Sequence, residues 1–158
     1  MLKENTTVTT RSYLSAVLAN KCPRCRQGDL FVTNNPYAFD KNRFMHMNDS
    51  CAICGQPTDI EVGFYYGTGY VSYGLTVAFS VATFIAWKVL IGMSFAIDDN
   101  RVFYWFFTNL ILLLLLQPLF MRFSRTLWLS WFVKYNPNWE KEKSKRNERI
   151  VDAYKHGW

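Results

Sequence analysis

Between residues 62 and 121 the chain carries four charges in sixty positions: Lys88, Asp98, Asp99 and Arg101. The other 26 charged residues lie outside that window. A soluble globule interleaves charge with apolar residues, because each surface helix needs one wet face. Here two uncharged runs stand out, 62–87 with 26 residues and 102–121 with 20. A span needs about 20 predominantly apolar residues to cross a ~30 Å hydrocarbon layer. The second run, centred on Leu110 to Leu116, is apolar on all faces and reads as a span over 102–121. The first is richer in Gly, Ser, Thr and Tyr, and its span is placed at 70–92. Tyr65, Tyr66, Tyr70 and Tyr73 at its start and Trp87 near its end suit interfacial aromatic belts, as do Phe103, Tyr104 and Trp105. The charged share of the whole chain, 19%, is below the roughly 25% of an ordinary soluble domain.

The expected architecture is a mainly α membrane protein: a two-helix transmembrane hairpin preceded by a small four-cysteine, zinc-ribbon-like module. The expected divisions are an N-terminal segment (1–19), the ribbon-like module (20–61), the hairpin (62–121) and an interfacial helix with a basic tail (122–158). In the first segment Tyr13, Leu14, Val17 and Leu18 suit a short amphipathic helix, and nothing there has the length of a secretory signal. The link at 97–101 holds one basic residue, Arg101, beside Asp98 and Asp99, whereas Arg122, Arg125, Lys134 and Lys141 follow the second span. The positive-inside rule therefore expects both termini in the cytoplasm.

All four cysteines form two pairs, Cys22-Pro23-Arg24-Cys25 and Cys51-Ala52-Ile53-Cys54, with 25 residues between. Each Cys-x-x-Cys turn points two sulfurs at one centre, and two turns complete a tetrahedral thiolate site. Zinc is favoured over iron, and a structural role over a catalytic one, because four protein ligands leave no position for water. Two disulfides would need an oxidising compartment, and a redox pair would need a thioredoxin-like context. Gly55 follows the second pair, where a positive φ helps N–H groups turn toward sulfur. Residues 20–60 hold too little apolar material for their own core, so the metal is expected to hold them folded.

The first cysteine pair, Gly28-x-Leu30-Phe31, Asn35-Pro36-Tyr37, the second pair with Gly55, and Gly63-Phe64-Tyr65-Tyr66-Gly67 before two spans form a specific combination. Over roughly residues 20–135 it resembles a family of small bacterial inner-membrane proteins known as domain of unknown function 983. The resemblance implies a zinc ribbon, a two-helix hairpin, the bacterial inner membrane, no established activity, and a connection with respiratory-oxidase assembly. Arg26 departs from the family pattern, which has Gly in the first knuckle.

Other features invite both plain and functional readings. Gly74, Ala78, Ala82 and Ala86 recur every four residues, a ladder that admits a close helix, either the second span or a partner's. Lys88 is expected to snorkel, and Asn109 and Gln117 to bond between helices. Pro118 is expected to kink the second helix or mark its exit. Trp128, Trp131 and Phe132, with Arg122, Arg125 and Lys134, suit a helix in the inner interface. His46 between two methionines reads as a loop residue. The run 140–149, with five basic residues, reads as a solvated helix, and Val151, Tyr154 and Trp158 form a stripe beyond it.

No Ser-His-Asp set, His pair, P-loop or dinucleotide fingerprint is present, so an enzyme is not expected and no small-molecule substrate is evident. The expected function is an accessory subunit or assembly factor of a larger inner-membrane complex, with that complex and the bilayer as partners. The first alternative is a membrane-tethered ribbon binding anionic lipid or nucleic acid at the cytoplasmic face, and the second an uncharacterised enzyme. Nucleic acid is disfavoured, since residues through Glu61 hold seven basic and six acidic groups.

Overall fold

The long apolar runs become the two long helices of a computed structural model, which describes residues 11–39, 44–92 and 99–144. The described residues are mainly helical, with isolated bridges and no extended strand. The stripe at 151–158, the second half of the basic run (145–149) and residues 97 and 98 of the link lie outside them. A short helix, α1 (Tyr13–Leu18), is followed by the cysteine-bearing loops, a 3-10 turn (Phe64–Gly67), α2 (Thr68–Leu90) and α3 (Arg101–Phe132). Ser12 caps α1 by accepting a hydrogen bond from the N–H of Ser15.

α2 and α3 pack along a polar and aromatic seam. Asn109 donates to Ser80 Oγ at 3.1 Å and accepts from Thr83 Oγ1 at 3.0 Å. Trp105 Nε1 donates to the same threonine. Phe79 meets Phe120 and Phe84 meets Trp105 edge-on around that knot. Asn109 thus bonds between helices as expected. Gln117 does not: it is exposed, and eight residues at about 100° each carry it well off the Asn109 face. Gly74, Ala78, Ala82 and Ala86 are all exposed, so the ladder lies away from α3 and the second helix does not fill it.

Pro118 neither ends α3 nor starts a separate interfacial helix; α3 runs through it for 32 residues to Phe132. Proline removes one N–H and crowds the carbonyl four residues back. An apolar helix tolerates this when neighbours satisfy the loosened carbonyls. The carbonyl so affected is that of Leu114, and Tyr37 donates from its hydroxyl to the adjacent Leu115 carbonyl at 2.9 Å. At ~1.5 Å per residue α3 is about 48 Å long, well beyond a ~30 Å hydrocarbon layer. Its last turns are therefore free to serve as a post for the cysteine loops.

Those loops close on that post. Cys22, Cys25, Leu30, Phe31 and Cys51 share one buried cluster with Phe64 and with Leu129 and Val133 at the end of α3. Residues on both sides of 61/62 and of 121/122 thus share one packed cluster, in which the end of α3 lends apolar side chains to the cysteine loops. Trp128 lies beneath the 3-10 turn, donating from Nε1 to the Phe64 carbonyl at 2.9 Å. A Cβ at Gly67 would stand 2.3 Å from its ring, so only glycine fits there. Of the expected interfacial aromatics, Trp128 is spent on this contact, while Trp131 and Phe132 are 54% and 56% exposed.

Candidate metal centre

Each cysteine pair sits on a tight knuckle whose backbone points at its own sulfurs. The N–H groups of Cys25 and Gly28 serve Cys22 and Cys25, and those of Cys54 and Gln56 serve Cys51 and Cys54. Arg26 N donates to Cys22 O at 2.7 Å and Gly55 N to Cys51 O at 2.9 Å, so both turns close alike. Gly55 has φ +67° and Arg26 φ +60°. The first knuckle thus holds a left-handed arginine where the second holds glycine. The Arg26 guanidinium lies 4.1 Å from the centre of the Tyr135 ring and donates to the Arg11 carbonyl, contacts that offset the backbone strain.

The four sulfurs lie within 4.8 Å of one another, with Cys22 and Cys54, and likewise Cys25 and Cys51, 3.7 Å apart. A disulfide needs about 2.05 Å, so these are four free cysteines. A tetrahedron with metal–sulfur bonds of ~2.3 Å has edges of about 3.8 Å. The quartet therefore has the size and donor set of a four-thiolate metal site. The sulfurs also share protons tightly. Hydrogen bonding to Cys22 holds Cys25 well below the usual thiol range and brings Cys51 to about 6, while Cys22 is raised, chiefly by its bond to Cys25. Cys54 is raised as well, so two thiols favour the thiolate and two hold their protons, which a cation binding all four would have to displace.

Burial is uneven. Cys22, Cys25 and Cys51 are buried and Cys54 is half-buried. Gly28 is required by the sulfurs themselves, since a Cβ there would stand 2.3 Å from Cys51 Sγ. Thr58, 1% exposed, donates to the carbonyls of Asn48 and Asp49 and accepts from Tyr65 through its own carbonyl, tying the second knuckle to the start of the hairpin.

Two clamps are absent from any motif. Arg24, between the first two cysteines, donates to the carbonyls of Cys54 and Glu142 at 3.1 and 2.6 Å. The segment after α3 returns over both knuckles, with Asn136 N on the Arg24 carbonyl and Ser144 Oγ on the Gly55 carbonyl. On the other side Arg122, 2% exposed, donates from Nε to the Phe44 carbonyl and from Nη2 to the Asn35 carbonyl. Arg125 donates to the Met45 carbonyl. The sequence pattern marks these arginines as interfacial cations, and only the tertiary contacts reveal them as clamps. Asn35 also shapes the loop locally, its Oδ1 accepting from Tyr37 N.

His46 is exposed and, among the described residues, does not join the ligand-bearing group, which consists of the four cysteines. Lys88 is exposed in the last turn of α2. No family model matches this chain, and no curated protein or solved structure is similar to it.

Proposed function

We propose that this chain is a non-enzymatic zinc-ribbon protein of the bacterial inner membrane, working as an accessory subunit or assembly factor of a larger complex. The hairpin's close-packing groove carries the reading. Gly74, Ala78, Ala82 and Ala86 point outward beside Val77, Val81 and Ile85, and a Cβ at Gly74 would meet nothing within 4 Å. Association between apolar helices in a bilayer depends on such close approach and on interhelical hydrogen bonds. Gln117 adds an exposed amide, without a hydrogen-bond partner among the described residues, inside an uncharged run. The resemblance noted above agrees with a respiratory complex as host.

Zinc suits the quartet because 3.7 Å edges leave room for one ion rather than a cluster of several irons. Bound there, it would be held by Cys22, Cys25, Cys51 and Cys54 and would cross-link the two knuckles. Arg122, Arg125, Lys134 and Lys141 at the ribbon end, against Lys88 and Arg101 at the other, support cytoplasmic termini.

The test is the double change Ala78→Leu and Ala82→Leu, which fills the groove while keeping the helix apolar. After gentle solubilisation, the unaltered protein should migrate with partners on native electrophoresis. The variant should be inserted yet free. Migration of the unaltered protein as the bare 18.6 kDa chain would overturn the subunit reading. Cysteines placed at Asp99 and at Asn138 test topology: in intact cells the first should react with an impermeant reagent and the second should not.

A further inference from the structure

We propose that the cleft between the end of α1, residues 29–34 and α3 is a binding site for the phosphate of an anionic phospholipid headgroup, with Arg122 as its cationic floor. The proposal rests on the membrane placement argued above. The cleft has a volume of about 330 Å³, and Leu18, Lys21, Asp29, Thr33, Asn34 and Arg122 are among its lining residues. That volume is at the lower end of the range for small-ligand pockets.

The charge balance of the cleft points to an anion. Lys21 is already paired with Asp29. Among the described residues that line the cleft, the positive charge left over belongs to Arg122, whose side chain is almost wholly enclosed. Its contacts are neutral: the carbonyls of Phe44 and Asn35, and the Phe31 ring 4.7 Å below the guanidinium carbon. Nη1 has no hydrogen-bond partner among the described residues, and no carboxylate pairs with this arginine there. Burying a guanidinium without a counter-charge is costly. An anion entering the cleft would supply one, and a guanidinium binds phosphate oxygens well.

Position and polarity select a lipid as the carrier of that phosphate. Arg122 is the first charge after the uncharged run 102–121, the level at which hydrocarbon gives way to headgroups. Leu18 lines the same cleft and is 69% exposed, as is Leu14 one turn earlier on α1. Exposed leucines beside a cationic floor match a molecule with a phosphate at one end and acyl chains at the other. Thr33 and Asn34 add polar groups at the side of the cleft for the rest of the headgroup.

The full chain, purified in detergent, would be examined by native mass spectrometry with phosphatidylglycerol and with phosphatidylcholine of the same acyl length. Phosphatidylglycerol should be retained about five-fold more, the preference expected of one basic side chain near the membrane surface. Arg122→Gln should abolish the preference. Because Arg122 also clamps the loop, Asn34→Asp provides a second variant: it adds a negative charge to the lining without touching the clamp. It should remove the preference while metal content stays unchanged. Equal retention of the two lipids, or indifference to Asn34→Asp, would overturn the proposal. Displacement of the lipid by inorganic phosphate at low millimolar concentration would also overturn it, assigning the cleft to a free anion. Extraction of membranes at alkaline pH separates this outcome from failure of the membrane reading. A chain that stays in the pellet but shows no lipid preference removes this site alone, and a chain released to the supernatant removes both.

Discussion

Among the described residues Thr68 is the one position of α2 that the protein itself buries, whereas Cys22, Cys25 and Leu30 in the ribbon are wholly enclosed. The two regions reach order by different means. The hairpin satisfies its backbone within each helix and leaves its apolar side chains for a surrounding medium or partner to cover. The ribbon has few apolar residues and no extended strand among its described residues. It is held by a sulfur quartet, by arginine-to-carbonyl clamps, and by the side chains it borrows from the end of α3. Disturbing the quartet should therefore leave the hairpin helical, and disturbing the hairpin seam should leave the quartet intact.

The largest break in this comparison is Cys54→Ser. Losing one thiolate opens a closed site whose binding energy reaches ~10–16 kcal/mol in small zinc modules. Metal content should fall to near zero and the ribbon's amide protons should exchange rapidly, while the helical circular-dichroism signal of the membrane-bound protein stays within error. Gly28→Ala is the next largest. Its Cβ would meet Cys51 Sγ at 2.3 Å, so the sulfur must move. Zinc affinity measured by chelator competition should fall about 10–100-fold, as for changes in groups that orient metal ligands. Asn109→Ala acts on the other region. It removes the bonds to Ser80 and Thr83 and should lower the stability of the hairpin in detergent by about 0.6–1.7 kcal/mol, with metal content unchanged.

The smallest effect sharpens a comparison inside the ribbon. Arg26→Gly makes the first knuckle match the second at Gly55. Relief of the left-handed arginine would stabilise by ~1 kcal/mol, and loss of the Tyr135 stack would cost ~0.5–1 kcal/mol. The two nearly cancel, so the denaturation midpoint of the metal-loaded protein should move little.

The long helices were legible because charge is excluded from two runs of sufficient length. α2 covers 68–90 against an expected 70–92, and α3 begins at 101 against 102. The quartet was legible because a Cys-x-x-Cys turn fixes where two sulfurs point. What sequence spacing does not carry is contact between distant residues. That Arg122 would bond to Asn35, and Arg24 to Glu142, depends on how the loops fold back over α3. The same cause hid the fate of Trp128, read as interfacial and found beneath Gly67. The kink or exit expected at Pro118 follows local rules that treat proline as a breaker. The helix continues there, with Tyr37 from the ribbon bonded to a nearby carbonyl. The small-residue ladder shows the limit of periodicity: it marks a face, and only the packed hairpin reveals that the face turns outward.

The central claim is that a closed thiolate metal site, rather than a hydrophobic core of its own, orders the ribbon on the end of α3. Elemental analysis of the purified, unaltered chain tests it most directly. The account predicts one zinc per chain, lost in parallel with ribbon order when a strong chelator is added. Fewer than ~0.2 metal ions of any kind per chain, with the ribbon still ordered, would contradict it, because a closed four-thiolate site should be filled.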